Sequence, residues 1–235
     1  MNEEIKKQIS EAKNICLIPS ENEPESLTAA LALFYTLRDL GKNVNLIAEK
    51  FPEKISFLTP SLDFISRPQN LVISVPKKSA DIPQIYYEKT ENDLKIHLTL
   101  DNGKLAKEDV LFYYSEAKPD FVITLGIQDF QKQLENKMDS YGFLLGCPIL
   151  NIDNNLENLK FGQNNLIETK SLAEIILDIF EISSLGKNSA TCLLASVIMH
   201  YENFKSPKTN SGAFKISSDL MEKGAEYEKI LKMSV

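Results

Sequence analysis

The chain has 235 residues, of which 43% are hydrophobic and 25% are charged, and its formal net charge is -7. This length and composition suit one large α/β domain with a sizeable core. The acidic balance argues against nucleic-acid binding by bulk electrostatics and leaves only a local basic groove for such a role.

No apolar run approaches the length that spans a bilayer, and the N-terminal segment has the charge pattern of a surface helix instead of a signal peptide. We therefore expect a cytoplasmic protein with no membrane partner. Cys16, Cys147 and Cys192 lie in apolar runs with no metal-ligand or CxxC spacing, so we expect reduced core residues.

The N-terminal part of the chain has the pattern of a βαβ unit. Residues 2–13 alternate charge and isoleucine at helical spacing, and residues 14–18 form an apolar run typical of a buried strand. A polar turn leads into an Ala- and Leu-rich helix at 27–42, which Gly41 closes. A second strand is expected at 43–48, with a right-handed crossover.

The pattern changes between residues 52 and 117. Gln84–Lys89 and Leu94–Leu100 alternate apolar and polar residues around a polar turn, which predicts an antiparallel hairpin with one solvated face. Around it we expect a short helix at 52–60, extended pieces at 62–65 and 71–75, and a helix at 105–117.

The remainder of the chain is expected to complete the sheet and then to become helical. Strands are predicted at 121–125 and 148–152 with a helix at 129–138 between them, followed by helices at 171–185, 189–201, 211–224 and 226–233. The sequence thus predicts a single α/β domain over residues 1–235. Its expected architecture is a doubly wound, mostly parallel sheet with flanking helices, an inserted hairpin near 84–100 and a helical C-terminal third.

The candidate functional stretch runs from Cys147 to Asn165. An apolar strand there ends in Asp153 and a set of amides, and the carboxyl ends of parallel strands are where open α/β sheets build sites. Two further acids, Glu23 and Glu25, lie in the loop after the first predicted strand.

The run Asn151-Ile152-Asp153-Asn154-Asn155 resembles the Asn-Ile-Asp-His-His signature of the DHH phosphoesterase superfamily. This group contains oligoribonuclease-type and cyclic-dinucleotide phosphodiesterases, exopolyphosphatases and the RecJ exonuclease. The resemblance covers nearly the whole chain and extends, in the family's order, to Ala29–Leu33, Asn158, Phe161-Gly162, Ala190–Leu194 and Leu220–Ala225. It implies the N-terminal domain of that family, and it implies that the family's second, substrate-binding domain is absent.

The resemblance also implies a two-manganese site, in which carboxylates and imidazoles hold the ions and an attacking hydroxide. This sequence keeps Asp153 but departs from the other ligands, reading Pro19, Glu23 and Glu25 in the first motif, Gly126 in the second, Asn154 and Asn155 in the signature, and His200 in the fourth. Too few charged ligands remain for two divalent ions. We expect no metal and no cofactor.

The four candidate ligands also have purely structural interpretations. Glu23 and Glu25 precede a helix, where acids interact favourably with the macrodipole. Asp153 can cap the turn that follows its strand. His200 ends an apolar helix, where a cationic imidazole is stabilising.

The amides have structural interpretations as well. Asn154 and Asn155 suit a turn with left-handed backbone, because asparagine adopts it more readily than most residues. Asn158 is either a polar loop residue or a residue that keeps its family role. Lys208 fits a solvated surface position.

Three functions remain open. The first is a catalytically degenerate phosphoesterase-like protein with a binding or assembly role, as a homodimer through a sheet face or the hairpin, or with another protein. The second is a metal-dependent phosphodiesterase or phosphatase for small nucleotides or oligonucleotides, with an altered manganese site at Glu23, Glu25, Asp153 and His200. The third is a nucleotide or nucleic-acid binder that does not hydrolyse its ligand.

Overall fold

The structure is a computed structural model, and it describes residues 2–48, 51–60, 69–76, 78–116, 118–133 and 146–231. The described strands are β1 (Asn14–Pro19), β2 (Asn43–Leu46), β3 (Gln69–Ser74), β4 (Gln84–Lys89), β5 (Leu94–Thr99), β6 (Leu111–Glu116), β7 (Phe121–Leu125), β8 (Ile149–Asp153) and β9 (Asn164–Ile167). The described α-helices are α1 (Asn2–Glu11), α2 (Pro24–Asp39), α3 (Phe130–Gln133), α4 (Leu172–Leu177), α5 (Lys187–His200), α6 (Ser211–Glu222) and α7 (Tyr227–Leu231). Short 3-10 helices occur at Glu53–Leu58, Lys107–Asp109 and Ile182–Ser184.

Backbone contacts divide the chain into two compact units, Met1–Arg67 with Lys118–Val235, and Pro68–Ala117. The larger unit contains a five-stranded parallel sheet in the order β2-β1-β7-β8-β9. Strands β7 and β8 are buried along their whole length, as expected for apolar runs covered on both faces of a parallel sheet. The predicted α/β fold with a mostly parallel sheet is confirmed.

Helix α2 lies in the core of the larger unit. Its Ala- and Leu-rich sequence is apolar on nearly every side, and eleven of its residues are buried. It packs against α5, which is also mostly buried, and Thr36 Oγ1 lies 3.0 Å from Ser189 Oγ between the two helices. This packing fixes the start of α2 and the end of α5, where the candidate site residues lie.

The smaller unit contains two separate antiparallel pairs, β3 with β6 and β4 with β5. The predicted hairpin is confirmed, but both of its faces are exposed, because Tyr87 is 68% exposed on one face and Tyr86 is 51% exposed on the other. The helix predicted at 105–117 is wrong. Its second half, rich in aromatic residues that favour strands, forms β6 instead.

Smaller differences affect the sheet edge and the C-terminal helices. Strand β9 was not predicted, and the helix expected at 171–185 ends much earlier, as α4. The Asn210 side chain caps α6, since it accepts a hydrogen bond from the Ala213 amide. The extended piece predicted at 62–65 and the second half of the helix predicted at 129–138 lie outside the described residues. Among the helices of the described residues, none is long and apolar enough to span a bilayer.

Candidate functional site

Six of the candidate residues line one cavity of about 590 Å³ in the larger unit. Glu23 and Glu25 follow β1, Asp153 is the last residue of β8, and His200 is the last residue of α5. Asn154 and Asn155 complete the set from the loop after β8. The loops at the carboxyl ends of two parallel strands therefore meet at this edge, as expected for an open α/β sheet.

The Glu25 carboxylate is held by three neighbouring groups. Oε1 accepts a hydrogen bond from the Leu172 amide at 2.8 Å, and the Asn154 Nδ2 lies 3.1 Å from both oxygens. Oε2 lies 3.0 Å from the His200 Nδ1. The Leu172 amide lies in the first turn of α4, where backbone N–H groups have no carbonyl partner within the helix. Glu25 supplies the acceptor for this N–H group. Glu25 therefore links α2, α4 and α5, which goes beyond the macrodipole interpretation.

The His200 imidazole is 8% exposed, and it faces both Glu25 and the Asn154 amide. Asn154 Nδ2 is a donor and Glu25 is an acceptor, so an Nδ1–H that donates to Glu25 is the assignment that fits this contact. Among the described residues, the buried Nε2 has no hydrogen-bond partner. In the neutral ring this nitrogen carries a lone pair and acts as an acceptor.

The Asp153 carboxylate is also satisfied by protein donors. Oδ1 accepts from the backbone amides of Asn154 at 2.8 Å and Asn155 at 3.2 Å, and Oδ2 accepts from Asn158 Nδ2 at 2.6 Å. These bonds match the predicted capping of the following turn. The carboxylate therefore acts as an acceptor within the protein.

Asn158 is 6% exposed and is more than a polar loop residue. Its amide nitrogen also donates to the Ile127 carbonyl at 2.7 Å, and its oxygen accepts from Asn151 Nδ2 at 2.7 Å and from the Lys160 amide at 2.8 Å. Asn158 thus ties Asp153 and Asn151 of β8 to the loop after β7 and to Lys160 in its own loop.

The left-handed backbone predicted at Asn154 and Asn155 is wrong, since in this loop it occurs at Lys160, with φ 52°. Asn154 instead directs its amide towards Glu25. Sequence spacing gave no signal for this contact, because the two residues are 129 positions apart.

Glu23 is the least satisfied of the three carboxylates. Among the described residues it accepts one hydrogen bond, from Ser26 Oγ at 3.2 Å. Burial raises the pKa of Glu23 most, the negative charges of Asp153 and Glu25 raise it further, and the Ser26 hydrogen bond acts in the opposite direction.

Gly126 directly follows β7 and lies close to Glu23 and Ser26. Its φ is +64°, and a Cβ at this position would lie 2.0 Å from Ser26 Oγ and 2.8 Å from Glu23 Oε2. The position that holds an aspartate in the resembled family therefore has no room for a side chain here. Ser26, which fills this space, was missed by the sequence analysis.

The residues just after α5 form a left-handed turn beside the cavity. Glu202, Asn203 and Phe204 have φ values of 51°, 56° and 62°. Such backbone costs about 1–2 kcal/mol per residue for a side chain other than glycine. Only Asn203 has a side chain that favours this region, so the sequence gave no strong signal for the turn.

The site does not fit a pair of manganese ions. The oxygens of Glu25 and Asp153 are directed at protein donors, and Gly126 and Pro19 offer no ligand. Within the part of the chain that the structure describes, no group of three or more His, Cys, Asp or Glu side chains is arranged to hold a metal ion. The donor set is therefore too small for two divalent cations.

No protein-family model matches the chain, and no curated protein matches it. Among solved structures, the chain is similar to an exopolyphosphatase-related protein from Bacteroides fragilis, with a TM-score of 0.68 and 15% sequence identity. The match covers 99% of this chain and 59% of that chain. The chain therefore shares the α/β fold of that structure and spans little more than half of its length.

Proposed function

We propose that the protein is a catalytically degenerate phosphoesterase-like protein, which uses the inherited cavity for binding without metal-dependent hydrolysis. The observation that carries this proposal is the contact between Asn154 and Glu25. An amide nitrogen lies 3.1 Å from both carboxylate oxygens, on the face of the acid where a metal ion would need lone pairs. Asn154 is the position at which the resembled family has a histidine ligand.

The remaining acids support the same proposal. Asp153 accepts three protein hydrogen bonds, and His200 directs Nδ1 to Glu25. A single-metal site built from Glu23, Glu25, Asp153 and His200 would have to break several of these bonds. Such a site would lose buried hydrogen bonds that each contribute about 1 kcal/mol.

A manganese titration by calorimetry, paired with hydrolysis of a generic phosphodiester, tests the proposal. We expect no saturable heat and no turnover from the wild-type chain. Asn154→Asp serves as the matched variant, because it removes the amide donor from Glu25 and adds a hard oxygen ligand. We expect this variant to gain manganese affinity. Turnover by the wild-type chain that chelation abolishes would overturn the proposal in favour of an enzyme.

The nucleotide-binding alternative has little electrostatic support. Among the residues that line the cavity, Lys208 is the basic side chain besides His200, against the acids Glu23, Glu25, Asp153 and Glu202. Phosphate groups would meet like charge there without metal ions between them. Calorimetry with a nucleotide, with and without manganese, checks this alternative directly.

An assembly role is supported by the exposed hairpin. Ile85 is 66% exposed and Ile96 is 49% exposed on the same face as Tyr87, which is an unusual concentration of apolar surface for a free strand pair. A homodimer or a protein partner bound at this face is part of the proposal, and sedimentation over a range of concentrations tests it. Cys16, Cys147 and Cys192 are buried and form no disulfide among the described residues, which supports a reducing, cytoplasmic environment as part of the proposal.

A further inference from the structure

We propose that the hairpin formed by β4 and β5 docks against the same hairpin of a second copy of this chain, with the two apolar faces together and the strands antiparallel. This inference rests on the assembly part of the proposed function. It names the occupant of a surface that the proposed function leaves to either a homodimer or another protein.

The smaller unit lacks a core of its own. Within its described residues, Ala80 is the one that is buried, whereas ten of the eighteen exposed large hydrophobic side chains of the described chain lie between Leu71 and Phe112. A sheet is stable when one face is buried against another element, and an isolated strand pair is marginally stable in water. The apolar side chains of this unit therefore need a cover that its described residues do not supply.

The cross-strand register divides the hairpin into two chemically different faces. Tyr87 pairs with Ile96, so these two side chains lie on the same face. This apolar face consists of Ile85, Tyr87, Lys89, Leu94, Ile96 and Leu98. The opposite, polar face is organised within one chain, since Tyr86 stacks on His97 with ring centroids 4.5 Å apart and Glu88 Oε2 lies 3.5 Å from His97 Nε2. The apolar face is therefore the side that needs a partner.

The area of the apolar face suits a weak dimer. Ile85, Tyr87, Leu94 and Ile96 are 66%, 68%, 60% and 49% exposed. With roughly 100–150 Å² exposed per side chain, these four present about 500 Å², which is in the range where contiguous apolar patches mark interaction sites. Two such faces would bury about 1,000 Å² in total, at the lower limit of a specific protein interface. We therefore expect a dissociation constant on the order of 1–10 μM.

The charges at the two ends of the hairpin favour antiparallel strands in the dimer. Lys89 is the charged residue of the apolar face, and it lies at the turn end. Asp81 and Asp101 lie at the other end, where the Asp101 amide donates to the Asp81 carbonyl at 3.1 Å. With antiparallel strands, Lys89 of each copy meets the acidic end of the other copy, whereas parallel strands would bring the two lysines together. A second copy thus supplies both the apolar surface and the opposite charge.

Sedimentation velocity of the full chain between about 1 and 100 μM tests the inference, and we expect a reversible equilibrium between monomer and dimer. Tyr87→Glu should weaken the dimer by about tenfold or more, because it places a charge against the apolar face of the other copy. Tyr86→Glu is the matched control, since it makes the same change one residue away on the polar face. We expect it to change the dissociation constant by less than about threefold, and circular dichroism checks that both variants keep the fold.

Charge exchange tests the antiparallel arrangement and the identity of the partner. Lys89→Glu and Asp101→Lys should each weaken self-association by about threefold or more, because each removes the attraction between Lys89 and the acidic end at both ends of the dimer. An equimolar mixture of the two variants should associate more tightly than either variant alone, since one Lys89 then meets an intact acidic end. Sedimentation of the mixture with one variant fluorescently labelled measures this heterodimer.

A wild-type chain that stays monomeric at about 100 μM, equal weakening by Tyr86→Glu and Tyr87→Glu, or no gain in the mixture would overturn the inference. A monomeric wild type would leave the apolar face to another protein, while the proposed loss of metal-dependent hydrolysis would stand. Manganese-dependent turnover by a dimer that Tyr87→Glu dissociates would contradict the proposed loss of catalysis and support the inference.

Discussion

His200 Nδ1 lies 3.0 Å from Glu25 Oε2 and joins the last residue of α5 to the first turn of α2. The two side chains are 8% and 17% exposed, so the contact is an interior one. Glu25 also holds Asn154 and the first turn of α4. One carboxylate thus organises three segments that are far apart in the chain.

Substitution Glu25→Ala is expected to lower the free energy of unfolding by about 3 kcal/mol, because it leaves the Leu172 amide, Asn154 and His200 without their acceptor. Urea denaturation followed by circular dichroism measures the loss. Glu157→Ala removes an exposed acid from the loop after β8 and should change stability by less than about 0.5 kcal/mol. Equal effects of the two substitutions would show that Glu25 has no organising role.

Asn158→Ala should destabilise the protein by about 2–4 kcal/mol, because it removes a buried partner of Asp153, Asn151 and the Ile127 carbonyl. The same denaturation measurement applies. Asn155→Ala is the matched control in the same loop, since it removes the same amide from a half-exposed position. We expect it to lower stability by less than about 1 kcal/mol, and a ranking in the opposite order would contradict the network assigned to Asn158.

The sheet could be predicted because its central strands are continuous apolar runs that end in turn residues. Strand β8 and Asp153 were located on this basis, and the structure brings Asp153 next to the loop after β1. Strand β6 was mistaken for a helix because its aromatic run gives no clear period. Its pairing with β3 comes from a segment about forty residues earlier, and local propensity carries no information on such a partner.

The hydrogen bonds of the site were harder to predict than its position. The contacts of Glu25 with Asn154 and His200 span more than a hundred residues of sequence, so spacing does not reveal them. The space beside Gly126 depends on how Ser26 is placed by α2. The residue types in the sequence indicated which groups could bind a ligand here. Their distances and hydrogen bonds depend on the packing of the whole fold and could not be predicted.

Gly126→Ala is expected to destabilise the protein by about 2 kcal/mol or more, because the new Cβ meets Ser26 Oγ and the backbone has positive φ. The double variant Gly126→Ala/Ser26→Ala should recover about 1 kcal/mol of that loss, since the serine hydroxyl is the closest obstacle. A double-mutant cycle by thermal and urea unfolding measures the coupling. Strictly additive effects would mean that the hydroxyl does not define the space at Gly126.

Glu202→Gly should stabilise the protein by about 0.5–1 kcal/mol, because glycine adopts the left-handed backbone of this turn without steric cost. The gain is smaller than the strain itself, since glycine also adds entropy to the unfolded chain. Glu222→Gly makes the same change at a helical position in α6 and should be destabilising. A lower melting temperature for Glu202→Gly would show that the turn is held by the Glu202 side chain.

The stability of the protein is expected to depend on the protonation of Glu23. Its pKa is raised in the folded state by burial first and then by Asp153 and Glu25, so the folded protein binds this proton more tightly than the unfolded chain does. The associated stability is present below the ordinary glutamate pKa of about 4.3 and is lost as the pH rises through the folded value.

Glu23→Gln, which resembles the protonated acid, should therefore be more stable than the wild type at neutral pH. The difference should shrink as the pH falls towards 4, and urea unfolding of both proteins across that range measures it. A wild type that is equally stable or more stable at neutral pH would mean that Glu23 is already compensated in the folded protein.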